Sequence, residues 1–259
     1  MWLRDWSRRP DVAVRLLCLP PAGGAAHLFR RWARKLPDHI GVLAVEPPGR
    51  GSRLREPPVH DLDAVVSGPD SLGREVEALL DVPLVVFGHS MGALVGRALC
   101  ARLRERDPGW RPALFVAAAS EAPDSVRLQL PAAGLGDEEV LEFLREHGGT
   151  PAELLADPEY RALLIPAVRA DLALAAAAGR ASGPVPGCPV RVYLGAGDTS
   201  VTVADTAGWQ AYGDGDFARH TFDGGHFFVQ QAEDEVVARL AADITGCAAP
   251  HPRATTPRG

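Results

Sequence analysis

Short apolar runs alternate with helical patterns along most of this chain, and this alternation constrains the fold more than any other feature. Most of the apolar runs carry almost no polar residue, which is typical of strands that helices cover on both faces. The pattern predicts an α/β fold with a mostly parallel central sheet flanked by helices. The six predicted strands are Val12–Leu19, Gly41–Val45, Leu84–Phe87, Ala113–Ala119, Val190–Leu194 and Ala218–Phe222.

One stretch, from about residue 123 to residue 183, interrupts the alternation because it contains helical patterns and no convincing strand. It is too long for a simple crossover between strands. We therefore expect a helical lid over the carboxyl ends of the strands, where α/β proteins bind ligands, with a bundle that only widens the core as the alternative. The expected organisation is a core of residues 1–122 and 184–247, a lid of 123–183 and a disordered, Pro-rich tail of 248–259.

The composition is that of a globular protein and gives no indication of nucleic-acid or membrane partners. Of 259 residues, 46% are hydrophobic and 23% charged, and the net charge of −6 gives no reason to expect a nucleic acid. We see no apolar run near the ~20 residues that cross a bilayer, and no secretory signal at the N-terminus. The four cysteines match no zinc or disulfide framework. We therefore expect reduced thiols in a cytoplasmic protein that does not engage membranes.

The strongest functional signal is an apolar strand that runs into the motif Gly-His-Ser-Met-Gly at residues 88–92 and then into a helix. A serine on such a turn is typical of the nucleophile of the α/β-hydrolase fold, and the flanking glycines let the chain pass. The turn places Ser90 at a helix N-terminus, where backbone amides favour developing negative charge. We expect the neighbouring His89 to pack or hydrogen-bond locally and not to act as the base, because adjacent side chains diverge on a turn.

A nucleophilic serine needs a base, and the base needs a carboxylate that orients it. In this fold the acid and the base follow the serine along the chain, each just after a strand. Asp198 lies in a Gly-rich turn after one predicted strand, and His226 follows two glycines after the last. The order Ser90, Asp198, His226 predicts a catalytic triad. Because some relatives of the fold place the acid one strand earlier, Glu121 and Asp124 are alternative acids.

The remaining histidines are expected not to take part. One, His220, lies inside a predicted strand. Five others belong to segments that we do not expect to reach the rim of the sheet where the triad would lie, namely His27, His39, His60, His147 and His251.

The reaction also needs two backbone donors that stabilise an oxyanion. One candidate is the amide of Met91, the residue after the serine. The other lies in the loop after the first predicted strand, where Pro20 and Pro21 have no amide hydrogen. Ala22 is therefore the first residue of that loop that can donate.

With these residues in view, the chain resembles the type II (external, editing) thioesterases that accompany modular polyketide synthases and nonribosomal peptide synthetases. The resemblance runs roughly from Leu16 to Leu240. Its motif segments are LPPAGG at 19–24, EPPGRGSR at 46–53, GHSMGA at 88–93, GGTP at 148–151, PAVRAD at 166–171, GAGD at 195–198 and GGHFF at 224–228. GHSMG is widespread among hydrolases, whereas GGTP and the RAD segment separate this family from a generic esterase.

The resemblance implies Ser90 as nucleophile, Asp198 as acid and His226 as base, with Ala22 and Met91 as oxyanion donors. It also implies that the lid forms an acyl chamber. Members of the family hydrolyse acyl groups, often short or aberrant, from the phosphopantetheine arm of acyl or peptidyl carrier proteins. We expect a monomer that needs no metal or organic cofactor. The alternatives are a small-molecule carboxylesterase or lactonase with the same triad, and a binding protein that has lost catalysis.

Three segments depart from the family pattern. Pro21 stands where a histidine or an aromatic residue is frequent, and residues 118–121 read Ala-Ala-Ser-Glu where Ser-Gly-Arg is common. The lid helix has only small and aliphatic residues at 172–178, where the family usually has an aromatic residue, and this predicts a roomier chamber.

A cluster of arginines, formed by Arg50, Arg53 and Arg55, either meets an acidic carrier protein or is a solvated loop.

Overall fold

The computed structural model describes residues 1–123, 135–181 and 187–247. Seven strands of this part of the chain form one sheet in the order β1-β3-β2-β4-β5-β6-β7. Strand β1 pairs antiparallel with β3, and the other pairings are parallel. The strands are β1 (Leu3–Asp5), β2 (Val14–Leu19), β3 (Ile40–Val45), β4 (Leu84–His89), β5 (Leu114–Ala118), β6 (Val190–Gly195) and β7 (Phe217–Phe222). The prediction of an α/β fold with a mostly parallel sheet is confirmed.

All six predicted strands occur, with their ends shifted by one or two residues. The seventh, β1, was not predicted because its sequence, Leu-Arg-Asp, is too short and polar to show a pattern. It forms because it pairs with β3, with Leu3 opposite Val45 and Asp5 opposite Leu43.

Helices cover both faces of the sheet, as the apolar strands predict. The described α-helices are α1 (Trp32–Lys35), α2 (Leu62–Val66), α3 (Leu72–Glu77), α4 (Met91–Arg106), α5 (Asp137–His147), α6 (Ala152–Ala156), α7 (Pro158–Arg180), α8 (Phe228–Gln231) and α9 (Glu233–Cys247). Short 3-10 helices lie at Ala26–Phe29, Gly51–Arg53 and Ala204–Tyr212.

Successive residues of each central strand face opposite sides of the sheet, which explains why these strands are apolar throughout. In β4, Val86 joins a buried cluster with residues of α2, α3 and α4. The next residue, Phe87, joins a second cluster with α1 and α9, where its ring lies 4.9 Å from that of Trp32. The two clusters hold the sheet rigidly, and with it the carboxyl end of β4 at which Ser90 lies.

The described part of the segment expected to form the lid contains α5, α6 and α7. These helices share a third buried cluster, which consists of Val140, Leu141, Leu144, Leu155, Ile165, Val168 and Leu172. The C-terminal half of α7 instead packs into the core next to α4, through Leu174 and Ala178. Residues 124–134 and 182–186 of the expected lid, and the expected tail of 248–259, lie outside the described residues.

Helix α7 also corrects the expectation that no segment has the length and composition to cross a membrane. It has 23 residues and meets that test, and 56% of its most apolar 18-residue stretch is buried inside the protein. The sequence did not show this because Arg169 and Asp171 interrupt the apolar run. Both charges have protein partners, since Arg169 pairs with Asp137 and Asp171 with Arg50. A core helix passes the same test of length and composition.

Candidate active site

Ser90 lies on a strained turn between β4 and α4. Its backbone has φ 54° and ψ −120°, a region that residues other than glycine rarely adopt. Two close approaches explain the glycines on either side. A Cβ at Gly88 would lie 2.3 Å from the backbone of Ala93, and one at Gly92 would lie 2.3 Å from the carbonyl oxygen of Leu19. The turn predicted from the motif is therefore present, and packing dictates its glycines.

Asp198 and His226 meet at the carboxyl ends of β6 and β7. The Nδ1 of His226 lies 2.9 Å from the Oδ2 of Asp198, and both side chains are buried. Backbone bonds join the two turns, with the amide of Gly197 donating to the carbonyl of Gly224 at 2.8 Å. A Cβ at Gly195 would lie 2.2 Å from the carbonyl oxygen of residue 225, so only a glycine lets the turns approach.

Ser200, which was not predicted, completes the surroundings of this pair. Its hydroxyl donates to the Oδ1 of Asp198 at 2.6 Å and lies 3.0 Å from the Nδ1 of His226. The amides of Ser200 and Val201 also donate to Oδ1, at 2.9 and 3.2 Å. Burial raises the pKa of Asp198, but the hydrogen bonds from His226 and Ser200 outweigh it and hold that pKa below its ordinary value. Asp198 is therefore a carboxylate at neutral pH.

Ser90 and His226 face two adjoining cavities. The larger, of about 260 Å³, extends past the loop after β2, and the smaller, of about 220 Å³, extends between α4 and α7. Ala22, Ser90, Phe143, His147 and His226 line both. The Oγ of Ser90 makes no hydrogen bond to the ring of His226 among the described residues, a bond that in free enzymes is often long and tightens when substrate binds.

The two expected oxyanion donors belong to segments that meet beside Ser90. Met91 is the first residue of α4, so its amide has no acceptor within the helix. The loop of Ala22 touches the same helix end, because Gly92 packs against the backbone of Leu19 and Pro20. The amide of Ala22 donates to no group in the described part of the chain. Both residues line the smaller cavity together with Ser90.

We expected His89 to pack or to hydrogen-bond locally. Its ring does pack, 5.5 Å from that of Phe227, but its hydrogen bond is to a distant segment. His89 is fully buried, and its Nε2 lies 2.9 Å from the carbonyl oxygen of His226, 137 residues away. Burial, with a smaller effect from the His226 side chain, lowers the pKa of His89 to about 3. His89 is therefore a neutral donor that holds the backbone of His226 in the loop after β7.

The expectation that His147 lies far from the site is wrong. It ends α5, its ring is edge-on to that of His226 with centroids 5.1 Å apart, and it lines both cavities. Its Nδ1 lies 2.9 Å from the carbonyl oxygen of Phe143, on whose ring it stacks. Burial lowers the pKa of His147. His27, also expected elsewhere, lines the larger cavity.

The GGTP segment explains how α5 reaches the site. Gly149 has φ 86°, and a Cβ there would lie 2.4 Å from the ring of Phe227. The backbone after α5 thus packs directly on the residue that follows His226. The motif was the one sequence signal that marked the end of α5 as special, although it did not identify His147.

The structure also places the two alternative acids and the three arginines named in the sequence analysis. Glu121 lines the smaller cavity, and Asp124 lies outside the described residues, while the carboxylate bonded to His226 is Asp198. Arg50 is buried against Asp171, so for this residue both alternatives, contact with a carrier protein and a solvated loop, are wrong. Arg53 packs on Trp2 and pairs with Glu56, and Arg55 is exposed.

Among residues 1–123, 135–181 and 187–247, no group of three or more His, Cys, Asp or Glu side chains is placed to hold a metal ion. The four cysteines are free thiols, and burial raises the pKa of Cys18 and Cys100 well above the ordinary value.

The parallel sheet, the strained serine turn and the buried Asp–His pair beside it are those of an α/β-hydrolase. A family model described as Thioesterase domain matches residues 14–244, and the chain belongs to this family. The structure is similar to that of the type II thioesterase BorB from the borrelidin biosynthetic cluster, with a TM-score of 0.77 and 30% identity over 93% of this chain and 96% of that one. The resemblance seen in the sequence is confirmed.

Two curated relatives agree with this assignment. Thioesterase PikA5 of Streptomyces venezuelae is 32% identical over 91% of this chain and 83% of its own length. The AMB antimetabolite synthetase AmbE of Pseudomonas aeruginosa PAO1 is 36% identical over 95% of this chain. The chain spans only 12% of the length of AmbE, so the likeness concerns one part of that protein. This protein is a hydrolase of the type II thioesterase class.

Proposed function

We propose that the protein hydrolyses acyl groups, often short or aberrant, from the phosphopantetheine thioester of an acyl or peptidyl carrier protein. The carrier would serve a polyketide or nonribosomal peptide synthase, and the phosphopantetheine belongs to that partner. The observation that carries the proposal is the buried Asp198–His226 pair, whose histidine lines the same cavities as Ser90 in a chain of the thioesterase family. Similarity to a type II thioesterase of a biosynthetic cluster supports the substrate class.

In the proposed acylation step, the Nε2 of His226 takes the proton of Ser90 as its Oγ attacks the thioester carbonyl carbon. The carbonyl oxygen becomes an oxyanion that the amides of Ala22 and Met91 stabilise. The carbon–sulfur bond then breaks, and the thiolate leaves with the proton from His226. A thiol has a pKa of about 8.5, so its departure needs little help from an acid.

In the proposed deacylation step, His226 takes a proton from water, which attacks the ester on Ser90. The ester bond to Oγ breaks, Oγ recovers the proton, and the product leaves as a carboxylic acid. Asp198 remains ionised throughout. Its bond to Nδ1 fixes the tautomer that presents the lone pair of Nε2 to Ser90, and it stabilises the imidazolium that forms in each step.

We further propose that α5, α6 and the N-terminal half of α7 form the lid and that the smaller cavity holds the acyl group. The apolar residues Leu94, Leu172, Ala175 and Val201 line that cavity between α4 and α7, with Glu121 and Glu146 also present. The larger cavity is lined by Thr150, Tyr160 and Gln230 together with Leu28, Leu144 and Leu164. The larger cavity would then admit the more polar phosphopantetheine arm. The small residue at 175 leaves room beneath the lid. We also propose that the protein is a monomeric cytoplasmic enzyme that uses no metal.

The test is mass spectrometry of a panel of carrier proteins loaded with different acyl groups, incubated with the wild-type protein or with Ser90→Ala. We expect the wild type to release acyl groups and the variant to lose at least 10³-fold in turnover. Labelling with a fluorophosphonate probe checks that Ser90 is reactive, and Ser67→Ala, in another loop, is the matched control.

Three results would each contradict a part of this proposal. Wild-type turnover by Ser90→Ala would show that Ser90 is not the nucleophile. Faster hydrolysis of the matching oxygen ester than of the thioester would indicate a carboxylesterase or lactonase. A wild-type protein that binds the loaded carrier but neither turns it over nor reacts with the probe would be a binding protein.

A further inference from the structure

We infer that Asp171, held by Arg50, is a positioning residue for the reaction because it sets the loop that carries the Ala22 amide. This inference rests on the proposed function, in which that amide stabilises the oxyanion. Asp171 ends the PAVRAD segment at 166–171, and Arg50 lies in the EPPGRGSR segment at 46–53, far away in the sequence. Neither lines the cavities at Ser90.

The two side chains form a buried, bidentate ion pair. Asp171 of α7 has no exposed surface, and Arg50 is 8% exposed. The Nη2 of Arg50 donates to Oδ1 of Asp171 at 2.7 Å, and Nη1 donates to Oδ2. Oδ2 accepts a second bond, from the backbone amide of Gly23 at 2.8 Å. One carboxylate therefore joins the lid helix, the segment after β3 and the loop after β2.

The bond to Gly23 acts on the residue next to the proposed oxyanion donor. Ala22 lies between Pro21, whose ring fixes its own φ, and the amide that Asp171 holds. The loop is also closed by the amide of Gly24, which donates to the carbonyl of Pro21 at 2.9 Å. With both neighbours constrained, the direction of the Ala22 N–H is set before substrate arrives, which is what an oxyanion donor requires.

Helix α7 contacts the same loop a second time. Gly23 has φ 74°, and a Cβ there would lie 3.1 Å from the Cγ2 of Val168. Val168 and Asp171 are three residues apart and so share one face of the helix. The helix thus packs against the loop and hydrogen-bonds to it, so a shift of α7 would move the loop as well.

A second buried carboxylate holds the other end of the loop. The Oε2 of Glu46 accepts from the amide of Ala26 at 2.8 Å, and its Oε1 accepts from the amide of Ser52, also at 2.8 Å. Glu46 and Arg50 belong to one short segment after β3. That segment therefore fixes the loop at two points after Ala22, directly at Ala26 through Glu46 and indirectly at Gly23 through Arg50 and Asp171.

Stability alone is a poor explanation for the ion pair. Apolar residues of similar size commonly replace a buried ion pair at no loss of stability, because desolvation of the charges offsets their attraction. An apolar replacement would fill the same space but could not accept the amide hydrogen of Gly23. An apolar side chain supplies no such bond, and an amide has only one acceptor oxygen, so it could not accept from the Gly23 amide and from both Arg50 nitrogens in this geometry.

The test compares Asp171→Asn with Asp137→Asn, a matched control that removes the carboxylate from the exposed ion pair between α5 and Arg169 of α7. The readouts are kcat and KM on an acyl-loaded carrier, and the inhibition constant of an alkyl trifluoromethyl ketone, whose adduct with Ser90 places an oxyanion at the donors. We expect Asp171→Asn to lower kcat and to weaken the inhibitor by the same factor, about 10- to 100-fold, with KM within about twofold. Asp137→Asn should change none of these by more than about twofold.

Equal kcat and inhibitor affinity in wild type and a folded Asp171→Asn would overturn the inference while leaving the proposed function intact. If Asp171→Asn does not fold, the double variant Arg50→Met/Asp171→Leu provides the same test with an apolar pair. A folded double variant with wild-type kcat would overturn the inference, and one with low kcat and normal melting temperature would support it. Failure of the proposed function looks different, because the wild type would then be inactive or Ser90→Ala active.

Discussion

Ser200→Ala removes one hydroxyl from the surroundings of the Asp198–His226 pair and leaves the backbone unchanged. The lost bond is that from the Ser200 Oγ to the Oδ1 of Asp198, at 2.6 Å. A hydrogen bond to a charged group contributes about 1.5–3 kcal/mol. Because two backbone amides still donate to Oδ1, we expect the lower end of that range, about 1.5 kcal/mol of unfolding free energy at pH 7. A similar loss in the transition state would lower kcat about tenfold.

The effect should depend on pH in a definite direction. The pKa of Asp198 is depressed in the folded protein, so the stability that this carboxylate contributes is present above its unfolded pKa, near 4. That stability is lost as the pH falls toward the folded pKa. Ser200→Ala weakens the depression, so the variant should be least stable relative to wild type at neutral pH, and the difference should shrink below about pH 4.

The assay is urea denaturation at pH 7 and pH 3, with kcat at pH 7. Ser200→Thr, which keeps the hydroxyl, is the matched control. A double-mutant cycle with Asp198→Asn isolates the charge, because a hydrogen bond to a neutral amide contributes only about 0.5–1.5 kcal/mol. The reasoning would be refuted if Ser200→Ala cost the same in both backgrounds, or if its cost did not change with pH.

Three further changes test other parts of the structure. Ala119→Gly should raise the unfolding free energy by about 0.5–1 kcal/mol, because Ala119 has φ 45°; an unchanged urea midpoint would contradict this. The free energy of unfolding of the wild type should fall as the pH is lowered from about 6.5 to 3, because the buried His89 stays neutral where the unfolded chain binds a proton. His89→Leu should reduce this pH dependence, and parallel plots of unfolding free energy against pH for the two proteins would contradict the prediction. Ala175→Leu should shift turnover toward shorter acyl chains, whereas Ala177→Leu should not; an unchanged chain-length profile would place the acyl group elsewhere.

Much of the fold was predictable because the decisive signals are local. A strand covered on both faces must be apolar at every position, so the run at β4 and its neighbours are visible as continuous apolar stretches. The serine turn is marked by a short local motif. A Cβ at Gly88 would clash with the backbone of Ala93 in the same turn, whereas Gly92 is needed because the carbonyl of Leu19, at the end of β2, lies against it. The order of Asp198 and His226 along the chain indicated which residues would lie near Ser90, because parallel strands end at the same edge of the sheet.

The contacts that the sequence did not reveal join residues that are far apart in the chain. His89 bonds to the backbone of residue 226, Arg50 pairs with Asp171, and Asp171 accepts the amide of Gly23. Periodicity and motif spacing report only which residues share a face or a turn, so they carry no information about partners more than a hundred residues away. Such pairs arise only when the packed sheet and helices bring two segments together.

The sequence by itself determined the fold class, the serine turn and the order of the candidate triad, because apolar runs and short motifs mark each of them without knowledge of which segments pack together. The tertiary structure decided that His147 lies beside His226, that β1 forms at all and that Arg50 is buried. Those outcomes depend on how α5 and α7 dock over the sheet and on which edge is left for β1 to join. Docking is set by the shape of packed surfaces, which no local pattern of residues records.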